Sequence, residues 1–204
     1  MSTQVLSVSL PSEIIYVSGT VNGTAYTWTL IEGAWTATVE RAADDTYAVA
    51  LTAVTAAGVS TNYTLTLYYG LLSLITDRTR ADVANQTDKG FYNASDLNRV
   101  GAAVEYIAGR FTALGYACHV TVKKDWLTSE APTASQLETY RQNIVTLRGK
   151  IAVMASTPDA PASMAGLNYV KANNIEQILL DLDALIDKLI KSWCFSGELY
   201  AGEV

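Results

Sequence analysis

Apolar side chains recur at alternate positions through the first third of the chain, as in Ala25-Tyr-Thr-Trp-Thr-Leu-Ile31 and Tyr47-Ala-Val-Ala-Leu-Thr-Ala-Val54. From about Gly70 onward they recur every three to four residues, as in Ile175, Ile178, Leu179, Leu182, Leu185, Ile186 and Leu189. A period of two sorts side chains onto the faces of a strand, and the longer period lays them along one stripe of a helix. The change predicts an α+β chain of two domains. An antiparallel β-sandwich over residues 1–70 is followed by a mainly helical bundle over residues 71–204 that closes with a long helix and a short extended tail.

In the first part, Val5–Leu10 and Ile14–Val21 read as strands separated by Pro11-Ser12, where proline supplies no ladder donor. Asn22-Gly23 tolerates the positive φ of a tight hairpin and leads into Ala25–Ile31; Glu32-Gly33 reverses the chain again into Ala34–Val39. Tyr47–Val54 and Thr61–Tyr69 flank a turn at Ala57-Gly58. Reversals every eight to twelve residues are the signature of a small sandwich of about seven strands. Trp28, Trp35, Val39, Tyr47, Val49, Leu51, Leu65 and Leu67 form its expected core.

In the second part a short helix is expected across Arg80–Gln86. A clearer one, capped by Asn93 or Ser95 and ended by Gly115, carries Leu97, Val100, Val104, Ile107, Phe111 and Leu114 on one face. Tyr116–Val122 reads as an extended crossing piece. Thr133-Ala-Ser-Gln136 is a capping box opening a helix that runs through Leu137, Tyr140, Ile144, Leu147 and Ile151. Pro158 and Pro161 separate it from the last helix, expected from Asn168 or Tyr169 to about Trp193.

Composition adds limits. Half of the 204 residues are hydrophobic and 17% are charged, enough apolar material for a folded core. The formal charge is -6, and within residues 1–70 Arg41 stands alone against Glu13, Glu32, Glu40, Asp44 and Asp45. No basic cluster beyond Lys123-Lys124 is present to displace counterions from phosphates, so no nucleic-acid partner is expected. The N-terminal stretch lacks the basic start and apolar run of a signal peptide, and no window is apolar enough for membrane insertion. Cys118 and Cys194 lack a Cys-x-x-Cys spacing and are read either as two reduced thiols or as one disulfide.

Reactive chemistry finds little support. His119 is the single histidine, and no Gly-x-Ser-x-Gly motif supplies a nucleophile for it. Asp183 and Asp187 meet across one helical turn beside Lys188 and Lys191, which reads as a solvated face rather than an acid pair. Asp44-Asp45 lacks the surrounding oxygen ligands that calcium requires. The expectation is a non-enzyme with no cofactor and no metal. Trp28 and Trp35 are the candidates for stacking on a ligand if exposed. The Trp193, Phe195, Leu199 and Tyr200 aromatics and leucine of the tail are candidate assembly contacts, either folded back or extended along a neighbour.

Two resemblances extend this reading. The run from Asp45 to Leu67, centred on Tyr47-Ala-Val-Ala-Leu-Thr-Ala-Val-Thr-Ala-Ala-Gly58, resembles the last two strands of bacterial immunoglobulin-like domains. Farther on, the succession Tyr92-Asn-Ala-Ser-Asp-Leu-Asn-Arg-Val100, Val122-Lys-Lys-Asp-Trp126, Pro132-Thr133, Met164-Ala-Gly-Leu-Asn-Tyr169, Ala172-Asn-Asn-Ile-Glu176 and the Trp193–Glu203 tail resembles a helical module of bacteriophage and prophage structural proteins, especially tail or baseplate components. Within it, Asn98, Asn173 and Asn174 read as helix side chains that bond to the loops between helices. The segment between Asp82 and Gly90 is shorter than that module would have.

The resemblance implies a structural virion component, tail or baseplate associated, assembled in the bacterial host cytoplasm. Its partners would be other virion proteins, further copies of itself through the apolar stripe of the last helix, and a host-surface glycan or protein. The alternatives are a capsid decoration protein, and a bacterial surface adhesin or carbohydrate-binding module.

Overall fold

The computed structural model describes residues 3–43, 45–69, 71 and 73–192. Seven strands form two antiparallel sheets: β1 (Thr3–Val8), β5 (Ala34–Glu40) and β4 (Thr29–Ile31) in the order β1-β5-β4, and β3 (Thr24–Thr27), β2 (Ile14–Val21), β6 (Thr46–Thr55) and β7 (Ser60–Tyr68) in the order β3-β2-β6-β7. The tight turns fall where the sequence places them. Asn22 and Gly23 have φ of 49° and 80°, and Glu32 and Gly33 have 50° and 84°, the paired positive values that a two-residue hairpin turn requires. The Asn22 carboxamide also accepts from the Ala48 N–H at 2.8 Å, tying the turn to the middle of the sheet.

One expected strand is divided. Ala25–Ile31 reads as continuous, but the chain leaves the second sheet after Thr27 and joins the first at Thr29, with Trp28 between them. Alternation persists through such a crossing, so period alone does not reveal it. Trp28 turns into the space between the sheets and is 5% exposed; Trp35, inward on β5, is 7% exposed. All eight expected core residues are buried there, together with Leu6, Val8, Val17 and Val21.

Among the described residues four helices follow, α1 (Arg80–Ala84), α2 (Ala94–Ala113), α3 (Ala134–Arg148) and α4 (Tyr169–Ser192), with one 3-10 turn at Asp88–Gly90. Thr79, Asn93 and Thr133 each close a reciprocal capping box, which satisfies two free amides at each helix start. Gly115, at φ 85°, ends α2. Ile151 lies past the end of α3 rather than on it. Tyr116–Val122 forms no strand; Val120 and Val122 nevertheless pack on the helical core.

The last helix departs from the expectation in one respect. Ile175, Ile178, Leu179, Leu182 and Ile186 are fully buried against α2 and α3 of the same chain. Most of the stripe is therefore consumed inside the bundle, while Leu189, with Ile190 beside it, stays exposed near the end of the helix. Arg99 meets Glu176 while Arg110 meets Asp183 and Asp187, so α2 and α4 run side by side in the same direction.

The buried side chains form two clusters, one between the sheets and one among the helices. Leu127, from the loop between α2 and α3, inserts into the sandwich cluster. Among the described residues no helix is long and apolar enough to cross a membrane.

Candidate functional site

The sheets and helices meet along β7 and α2, and the joint is built from polar groups inside an otherwise apolar surround. Asn98 is fully buried on α2. Its amide donates to the carbonyls of Thr66 on β7, at 3.1 Å, and of Trp126, at 3.0 Å, while its oxygen accepts from the Trp126 N–H at 2.6 Å. One side chain thus joins a strand edge, a helix and a loop. The Tyr68 and Ser95 hydroxyls bond at 2.5 Å, and Asp125 accepts from the Ser9 N–H at 2.5 Å.

The same device recurs. Asn143 on α3 bonds both the N–H and the carbonyl of Thr121, and Asn173 on α4 bonds both those of Arg78. A carboxamide carries a donor and an acceptor side by side, which matches a peptide unit left unpaired by an irregular segment. The expectation for Asn98 and Asn173 thus holds in the structure. Asn143 was not foreseen, because nothing in its local spacing separates it from a solvated asparagine.

Behind the start of α2 lies a neutral cluster of four buried charges. Arg78 contacts Asp96 at 2.7 Å and Glu176 at 2.8 Å, and Arg99 contacts Asp96 and, at 3.0 Å, Glu176. Glu176 also accepts from the Ile75 N–H, and Asp96 closes the capping box with Asn93. Arg78 lies over the Tyr92 ring and Arg99 over the Tyr68 ring. Burial alone would lower the Arg99 pKa; the bonds and charge of Glu176, then those of Asp96, outweigh it and hold the guanidinium more firmly protonated than usual. Burial, then the Glu176 charge, raises the Tyr92 phenol, which shares a short hydrogen bond with Tyr140.

The sequence carried a faint signal for this cluster. Glu176 falls four residues after Ala172 and three before Leu179, inside the apolar stripe, and a carboxylate there is costly unless paired.

In front of the joint, an open groove of about 670 Å³ runs between the outer face of the β2-β6-β7 strands and the helical part. Its floor carries Thr20, Ala48, Ala50, Thr64 and Thr66, and its walls include Tyr92, Ser95, Trp126 and Glu130.

The chain matches no protein-family model, no curated protein and no solved structure.

The individually expected residues lie as follows. Trp28 and Trp35 are in the sandwich core, so neither offers a free face for stacking, because inward alternation and the strand crossing place both rings between the sheets. Trp193, Phe195, Leu199, Tyr200 and Cys194 lie outside the described residues. Cys118 is half-buried, which pushes its thiol pKa up. His119 is exposed on an irregular segment. Asp183 and Asp187 both take Arg110. Asp45 pairs with Arg41 at 2.7 Å, Lys124 with Glu105, and Lys123 with Asp125 and Glu130. Among the described residues no group of three or more His, Cys, Asp or Glu is placed to hold a metal ion.

Proposed function

We propose that this protein is a non-enzymatic structural component of a phage or prophage virion, associated with the tail or baseplate, in which an immunoglobulin-like sandwich and a helical module act as one building block. The immunoglobulin-like and phage assignments rest on the resemblances of Asp45–Leu67 and of residues 92–203. What supports the reading physically is the joint. Arg78, Asp96, Arg99 and Glu176 are spent on one another and on backbone groups, and Asn98 binds strand, helix and loop together. Catalysts keep a perturbed titratable group open to a cleft, whereas here such groups fix elements against each other.

In this reading the helical module seats the chain among other virion proteins, and the sandwich, held at a fixed angle, faces a neighbour or the host surface. Virion parts repeat by symmetry, so the full chain forms a defined homo-oligomer. Most of the α4 stripe is used internally, which leaves the exposed Leu189 and Ile190 and the other outer surfaces for contacts between copies.

The deciding experiment is mass spectrometry of nuclease-treated, density-purified particles from induced cells of a strain carrying the gene. The chain is expected in the particle fraction in stoichiometric amount with other virion proteins. Its confinement to the particle-free lysate would overturn the reading. Light scattering of the full chain at micromolar concentration gives the oligomer; a monomer would count against assembly through copies of itself.

A further inference from the structure

The groove in front of the joint has features that the structural role does not use. Register places Thr20 on β2 beside Ala50 on β6, and Ala50 beside Thr64 on β7, so these three outward side chains form one row across the sheet. Ala48 and Thr66 are paired in the next row. Neighbouring strands lie about 4.8 Å apart. The central strand therefore forms the bottom of a trough and threonines rise on its far side and near side.

Alanine is a poor strand former, and other outward positions on β6 carry Thr46, Thr52 and Val54. Small side chains at 48 and 50, both exposed, keep the trough open at a cost to sheet propensity. The side-chain hydroxyls of Thr20, Thr64, Thr66 and Thr128 make no hydrogen bond to the described residues. Each remains able both to donate and to accept.

Charge narrows the ligand. Glu130 is the single carboxylate along the lining among the described residues, and it accepts from the Leu127 N–H at 3.0 Å and lies 3.3 Å from Lys123 Nζ. Among the described residues no unpaired charge faces the trough, so a charged ligand would lose its hydration without compensation. The Tyr92 and Tyr140 hydroxyls bond to each other, which leaves the half-buried Tyr92 ring as an apolar wall. The volume is that of a typical ligand site. An extended peptide would bind by adding to a strand edge, but the floor here is a sheet face whose backbone is committed to the β2-β6 and β6-β7 ladders.

We infer that this groove binds a neutral oligosaccharide, whose hydroxyls exchange hydrogen bonds with the floor threonines while its apolar ring faces pack on Tyr92. The inference rests on the host-attachment half of the proposed function and gives it a ligand class and a place.

The test uses the full chain, titrated to millimolar concentration with neutral tetrasaccharides of glucose, of galactose and of N-acetylglucosamine, with backbone amide NMR shifts as the readout. One of the three is expected to shift Thr20, Ala50, Thr64 and Ser95. Ala50→Gln, which fills the trough from an outward position, should weaken binding at least ~10-fold, and Thr64→Val, which removes one hydroxyl at constant shape, about fivefold per hydrogen bond lost. Unchanged thermal midpoints would certify both variants as folded. Absence of groove shifts with all three sugars, shifts that survive Ala50→Gln, or groove shifts produced instead by an uncharged decapeptide would overturn the inference. Detection of the chain in purified particles is independent of each of these results, so the virion reading stands or falls separately.

Discussion

Glu176 shows how a single residue holds distant parts of this chain. It is fully buried, contacts both Arg78 and Arg99 and accepts the Ile75 N–H. Glu176→Ala would leave two buried guanidinium groups sharing Asp96 alone, with one positive charge in excess, and breaking such a pair costs roughly 3–5 kcal/mol. Urea denaturation should show that loss as a lower midpoint with an unchanged slope. At Asn98 the geometry separates donor from acceptor. Asn98→Asp keeps the acceptor for the Trp126 N–H but turns an oxygen toward the Thr66 and Trp126 carbonyls. It should destabilise by about 2 kcal/mol or more, no less than Asn98→Ala, since each buried polar group left unpaired costs about 1–3 kcal/mol. If the aspartate were neutral in denaturation, the clamp would be misassigned.

The phenols give a pH dependence with a definite sign. Burial, then the Glu105 charge, pushes Tyr69 up to about 12; burial, then the Glu176 charge, raises Tyr92, and burial, then the neighbouring Tyr92, raises Tyr140. Unfolded tyrosine releases its proton near 10. Above that pH the unfolded chain holds fewer protons than the folded one, so stability is fully present below about 10 and falls as pH rises toward the folded values. Denaturation midpoints should decline through this range while phenolate absorbance rises; a flat profile would contradict the burial of these rings.

Among the elements, α2 makes the most varied demands on its sequence. Gly101 sits within it where alanine would ordinarily gain up to ~1 kcal/mol. An added Cβ would lie 2.8 Å from the Lys123 carbonyl, on the loop that Asn98 holds. Gly101→Ala should therefore destabilise, by about 1–3 kcal/mol, against the sign that helix propensity predicts. Thr133, by contrast, acts within its own helix. Thr133→Ala removes one half of a capping box and should cost ~1 kcal/mol without disturbing the joint. Comparison of the two variants by amide exchange should place the first effect at residues 121–127 and the second in the opening turn of α3.

For the whole molecule, the joint predicts shared unfolding. Leu127 fills part of the sandwich core, and Asn98 satisfies a β7 carbonyl on the edge that α2 covers. Near-ultraviolet circular dichroism, to which Trp28, Trp35 and Tyr47 of the sandwich and Trp126 of the joint contribute, should give the same urea midpoint as the far-ultraviolet helical signal. Two resolved transitions would mean that the joint is weaker than its hydrogen bonds indicate.

The sequence by itself determined the elements and their faces. Alternation at Tyr47–Val54, the turn pairs Asn22-Gly23 and Glu32-Gly33, and the capping box at Thr133 are local facts, decided within a few residues by backbone sterics and hydrogen-bond geometry. Tertiary structure decided what those faces meet. It divided the strand at Trp28, buried Trp28 and Trp35, turned most of the α4 stripe inward, and brought Arg78, Asp96, Arg99 and Glu176 into one neutral cluster. Those outcomes follow from which surface lies opposite which, and periodicity is the same whether a stripe packs on its own chain or on a neighbour. The groove belongs to the same class. Its threonines and alanines are unremarked strand residues until β2, β6 and β7 align them and α2 raises a wall beside them.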